Sequence, residues 1–70
     1  MKYTVIIEAG PKSYGAYLPD LPGCVAVADS REEVLRLIRE AVPDHIELMR
    51  ESGEAIPEPT STAELIEVAA

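Results

Sequence analysis

Residues 17–24 read Tyr-Leu-Pro-Asp-Leu-Pro-Gly-Cys, and this short stretch decides how the rest of the chain is arranged. Proline at the second position of a turn fixes φ near the value required, and a glycine after it accepts the positive φ of a type II turn. Leu21-Pro22-Gly23-Cys24 is therefore expected to be a rigid reversal between two extended segments. Upstream, Tyr14 to Leu18 reads as a short strand stopped by Pro19. Downstream, Cys24-Val25-Ala26-Val27-Ala28 reads as another.

Lys2 to Ala9 is rich in β-branched and aromatic residues. Tyr3, Val5 and Ile7 share one face, and Thr4, Ile6 and Glu8 the other. This first strand is separated from the second by Gly10-Pro11-Lys12-Ser13, a loop of strong breaker residues. Short connections between three strands imply an antiparallel meander.

Ser30-Arg31-Glu32-Glu33 then has the serine and the following glutamate of a helix capping box. Val34, Ile38, Ala41, His45 and Leu48 recur at helical spacing beside Leu35, Val42, Ile46 and Met49, with charged residues opposite. Gly53 suits the helix end. Pro43 interrupts the pattern while the apolar stripe continues in phase, which favours one kinked helix over a split at Val42. Ala55 to Thr62 is extended linker chemistry, and Glu64 to Val68 is expected to form a fourth strand. The expectation is a single domain over residues 1–70, α+β in class, with one long helix on a sheet of three to four strands.

Seventy residues make a small domain, and such a chain buries only about 60% of the surface that its unfolded form exposes. One cysteine, Cys24, excludes an internal disulfide, and with His45 it falls short of a zinc set. No metal or other cofactor is expected. Self-association remains as the source of extra burial. Strand three has no polar side chain, as in strands covered on both faces. The helix is also longer than the strands, so its Ile46–Met49 end is expected to overhang them. Val25, Val27, Ile46 and Met49 are accordingly the candidate interface of a homo-oligomer, a dimer or tetramer.

Net charge is −7, from 13 acidic and 6 basic residues. Nucleic-acid binding draws most of its affinity from Lys and Arg on phosphates, so direct binding to RNA or DNA is disfavoured and a basic protein partner suits the chain better. No apolar run approaches the roughly 18 residues that span a bilayer. The lone thiol and the absence of a leader segment favour the cytoplasm.

The blocks Gly15 to Cys24, Ala28-Asp29-Ser30-Arg31-Glu32-Glu33-Val34, and Gly53-Glu54-Ala55-Ile56-Pro57-Glu58-Pro59, in this order behind an aromatic strand, resemble the HicB-like antitoxin family over about residues 2 to 60. The resemblance implies a β-β-β-α-β unit, described as a partial ribonuclease H-like fold. It also implies binding and neutralisation of a HicA toxin, a small basic ribonuclease that cleaves messenger RNA. Full-length members carry a C-terminal DNA-binding domain. A chain that stops at Ala70 is expected to be a short stand-alone domain without that part, so operator binding does not carry over. Ala28 and Pro43 depart from the family, which often has glycine and a helix former there.

Asp20, Leu21 and Pro22 are the candidate partner-binding residues. Asp20 either faces a basic partner or hydrogen-bonds its own turn. Leu21 is either an exposed anchor or tucked beneath the loop. His45, without a dyad partner, is expected to be packed or at an interface, and Cys24 to be a small buried apolar group. Two-metal chemistry needs converging carboxylates, and the spacing of Glu8, Asp20 and Asp29 gives no convergence. No catalytic residue is therefore assigned. An antitoxin domain is the first reading, with an orphan structural or ligand-binding domain second and an RNA-acting enzyme third.

Overall fold

The computed structural model describes residues 1–69. Its centre is a pair of consecutive turns. The Leu21 N–H donates to the Leu18 carbonyl at 3.1 Å, and the Cys24 N–H donates to the Leu21 carbonyl at 3.1 Å. Each turn has proline in its second position. Gly23 takes φ 87° in the second turn, the conformation that the Pro-Gly pair predicts.

Three strands surround these turns, β1 (Ile6–Ala9), β2 (Tyr14–Tyr17) and β3 (Val25–Ala28), in the order β1-β2-β3 and antiparallel throughout. The register sets Ile7 against Ala16 and Ala16 against Ala26 on one face. On the other face, Ile6, Tyr17 and Val25 form one row, and Glu8, Gly15 and Val27 the next.

Strand one is shorter than its composition suggests, starting at Ile6 rather than Lys2. The physical reason lies across the ladder. Continuing the register would set Thr4 against Pro19, which has no N–H to donate, where the turns already carry the chain away.

The helix α1 (Arg31–Glu51) is continuous through Pro43, so the stripe does not split at Val42. Ser30 caps it, its hydroxyl accepting from the Glu33 N–H at 3.1 Å. The Glu33 carboxylate turns to Arg36, which also meets Glu40. These pairs are exposed and contribute little. At the far end, Gly53 at φ 75° donates to Arg50, and Glu54 donates to Met49. That pair of bonds is a Schellman motif, which satisfies the last carbonyls of the helix.

Helix and sheet meet in a core of Ala16, Leu18, Leu21, Cys24, Val34 and Ile38. Around it pack Tyr3, Val5, Ile7, Tyr14, Ala26, Ala28, Ala41, Val42, Ile46 and Met49. Only one face of β3 is covered. Its side chains alternate between exposed valines and half-buried alanines, an alternation that an all-apolar sequence hides.

The fourth strand expected at Glu64–Val68 does not form. Leu65, Ile66 and Val68 are exposed instead, at 101%, 82% and 77%. Apolar residues at 65, 66 and 68 fall on both faces of an extended chain, so no single register buries them. The structure is α+β: three antiparallel strands followed by one long helix.

Candidate protein-docking surfaces

The double turn holds Asp20 rigidly, and what its carboxylate meets is the segment after the helix. One oxygen, Oδ2, accepts from the backbone N–H groups of Thr60 (3.0 Å) and Ser61 (2.8 Å). The other, Oδ1, accepts from their hydroxyls at 3.2 and 2.9 Å. Four donors on one carboxylate favour its charged form. The Ser61 backbone bond is foremost in lowering the Asp20 pKa below its ordinary 3.8; loss of solvent, next in size, opposes it, and the two hydroxyls and the Thr60 N–H add to the lowering.

The same segment is held from the other side by strand-one residues that leave the ladder. Thr4 Oγ1 donates to the Ser61 carbonyl at 2.7 Å, and the Tyr3 hydroxyl donates to the Pro57 carbonyl. Asp20 therefore neither stands free toward a partner nor caps its own turn: it clamps residues 60 and 61. Thr60 and Ser61 are site residues that sequence reading missed. The available signal was a run of hydroxyl side chains, 60–62, after a proline-rich linker.

Leu21 is corrected as a contact residue. It is fully buried, at 0% exposure, because the bond from its N–H to Leu18 folds it inward beneath both turns. Pro22 remains exposed. Beside it, a Cβ built on Gly23 would stand 3.6 Å from His45 Cε1, so His45 packs against the turn. Pro22, Pro57 and Ala55 border the C-terminal half of the helix with Met49 and Leu48.

The helix runs past the short strands, as expected, but the end that does so is not bare: Ile46 and Met49 are half-buried against the chain's own core, and Met49 lies beside Ala55 and Pro57 of the returning linker. Cys24 is buried at 2% exposure, and removal from water raises its thiol pKa above 9.0. A thiol held protonated in this way is a poor nucleophile.

The second surface is the open side of the sheet. Val25 and Val27 are 64% and 68% exposed, and Tyr17 lies beside Val25 in the same row. Gly15 adds no side chain between Glu8 and Val27, so this face is a shallow apolar shelf with an exposed carboxylate at its β1 side. Continuous exposed apolar surface of this kind is characteristic of protein contact sites. Among the described residues, no three of the His, Cys, Asp and Glu side chains cluster as a metal site would require, and no helix is long and apolar enough to cross a membrane.

Comparison with known proteins assigns the chain to a family. The chain is 40% identical over 58 residues to a UPF0150 protein of Thermoplasma acidophilum, a match covering 81% of this chain and 84% of that one. It is 37% identical over 57 residues to an uncharacterized 14.9 kDa protein encoded in the rep-hol intergenic region of Haemophilus phage HP1. That match covers 81% of this chain but 43% of the phage protein, so the chain spans less than half of that relative's length. A family model described as the HicB-like antitoxin of bacterial toxin–antitoxin systems matches residues 3–69, nearly the whole chain. The chain belongs to the HicB-like antitoxin family.

Proposed function

We propose that the chain binds and neutralises a small basic HicA-type toxin ribonuclease by protein–protein contact, without catalysis of its own. The observation that carries this reading is the double turn at residues 18–24, tied by two backbone hydrogen bonds with Pro22 exposed at its tip, in a chain whose net charge is −7. An acidic protein steers a basic partner toward itself and accelerates encounter. The exposed turn then supplies the contact itself.

Two surfaces divide the work. Pro22, exposed at the tip of the double turn, touches the toxin, while Asp20 acts from behind by fixing residues 60 and 61, and Leu21 supports the turn from within. Val25 and Val27 join two copies of the chain face to face, burying the apolar side chains that one chain leaves in water. The β-β-β-α arrangement corresponds on this reading to the partial ribonuclease H-like unit of the family. Association and toxin binding both take place in the cytoplasm, with no direct contact to nucleic acid.

Co-expression with a HicA-type toxin, followed by size-exclusion chromatography with light scattering, tests the proposal. A stable mixed complex, weakened by Pro22→Glu, is the expected result. Two proteins that elute separately at micromolar concentration would refute it.

A further inference from the structure

A second surface lies on the opposite side of the molecule from the bare sheet face. Between the chain's first residues and the helix runs a groove lined by Tyr3, Val5, Leu35 and Val42, with Arg39 and Pro43 along it. Arg39 is exposed and forms no ion pair among the described residues. Pro43 adds a backbone feature. Its nitrogen carries no hydrogen, so the helical bond that residue 43 would donate to the Arg39 carbonyl cannot form. The groove thus combines an apolar floor, a free cation and a carbonyl that lacks its helical donor.

The segment after Ser61 has the complementary set. Leu65, Ile66 and Val68 are exposed at 101%, 82% and 77%. Glu64 and Glu67 alternate with them and are exposed too. The segment belongs to no helix or strand, and among the described residues no backbone hydrogen bond engages 62–69, so its N–H groups are available as donors. Within its own chain, Asp20 and Thr4 hold Ser61 at the start of this segment, while Leu65, Ile66 and Val68 beyond it stay in solvent.

We propose that residues 64–68 of one copy dock in the Arg39–Pro43 groove of a second copy, and that the exchange is reciprocal. Leu65, Ile66 and Val68 fill the apolar floor, Glu64 or Glu67 pairs with Arg39, and a backbone N–H of the segment donates to the Arg39 carbonyl. Each copy contributes one segment and one groove, so a two-fold pair closes without leaving either element unmatched. The contact is separate from the Val25–Val27 face and does not depend on a toxin.

Photo-cross-linking of the full chain tests the exchange directly. With Ile66→benzoylphenylalanine in an equal mixture of ¹⁴N- and ¹⁵N-labelled protein, cross-links to residues 35–43 should include mixed-isotope pairs. Arg39→Glu should lower their yield about tenfold, and Glu67→Arg in the same chain should restore it. Cross-links carrying one isotope only would show the segment folding onto its own groove and would overturn the proposal. So would cross-links that miss residues 35–43, or a yield indifferent to Arg39→Glu. Circular dichroism of each variant establishes that the fold persists, which is expected because both charged positions are exposed.

Discussion

Asp20 and Ser61 lie 41 residues apart, and yet the carboxylate of one accepts both the backbone N–H and the hydroxyl of the other, at 2.8 and 2.9 Å. A turn that reverses the chain between β2 and β3 thereby also fixes where the chain goes after the helix. Removing the carboxylate leaves the strands and helix their own bonds while leaving the returning segment held only from the side of Tyr3 and Thr4. Asp20→Ala should therefore abolish the amide-exchange protection of Thr60 and Ser61 and expose the Ala55–Thr62 linker to protease. Protection in α1 should stay close to that of the parent chain.

The same contact has a pH signature. The folded-state pKa of Asp20 lies below its ordinary 3.8, so the clamp contributes its full stability above that value and loses it as pH falls through the folded pKa. Chemical-shift titration of the Thr60 and Ser61 amides should show release only below pH 3.8. Asp20→Asn should remove that transition.

Depth separates two positions that the sequence makes look alike. Leu21 is fully buried and Val25 is 64% exposed. Leu21→Ala should cost about 2–5 kcal/mol through lost contacts and the cavity left behind. Val25→Ala should change stability by less than about 0.5 kcal/mol in the dissociated chain. Urea denaturation of the two variants measures both.

Gly23 carries a conformational requirement rather than a packing one. Its φ of 87° strains any residue with a Cβ, while the atom itself would only reach ordinary contact with His45 Cε1 at 3.6 Å. Gly23→Ala should destabilise by about 1–2 kcal/mol, detectable as a lower urea midpoint with an unchanged slope.

Pro43 weakens the helix that contains it. Pro43→Ala restores an N–H able to bond the Arg39 carbonyl, and should raise stability by about 1–3 kcal/mol. If the exchanged segment uses that carbonyl, the gain comes with weaker cross-linking from position 66. Thermal melts and cross-linking yields, measured on the same variant, report the two effects separately.

The features legible in the sequence are those that a few neighbouring residues determine. Pro22-Gly23 specifies its turn, Ser30 its cap and Gly53 its helix end, and each is found where local chemistry places it. The faces of β1 and β2 follow from the two-residue period. Relationships that span the chain were not legible. Nothing near Asp20 announces Thr60 and Ser61, because a carboxylate has many equivalent local donors. The depth of Leu21 depends on two turns folding over each other, and a turn residue flanked by prolines looks exposed. Glu64–Val68 has the composition of a strand but neither a one-sided pattern nor a paired edge. Met49 lies beside linker residues Ala55 and Pro57, and the return of that linker is itself set by the Asp20 clamp.

On the proposed function the chain silences a toxin by covering it, and a titration of RNA cleavage reads that out. A HicA-type toxin incubated with increasing amounts of the chain should lose its messenger-RNA cleavage at a fixed molar ratio. Pro22→Glu should shift the titration to higher concentration, and Cys24→Ser should leave the stoichiometry unchanged. Cleavage that continues at full rate in excess of the folded chain would contradict the account.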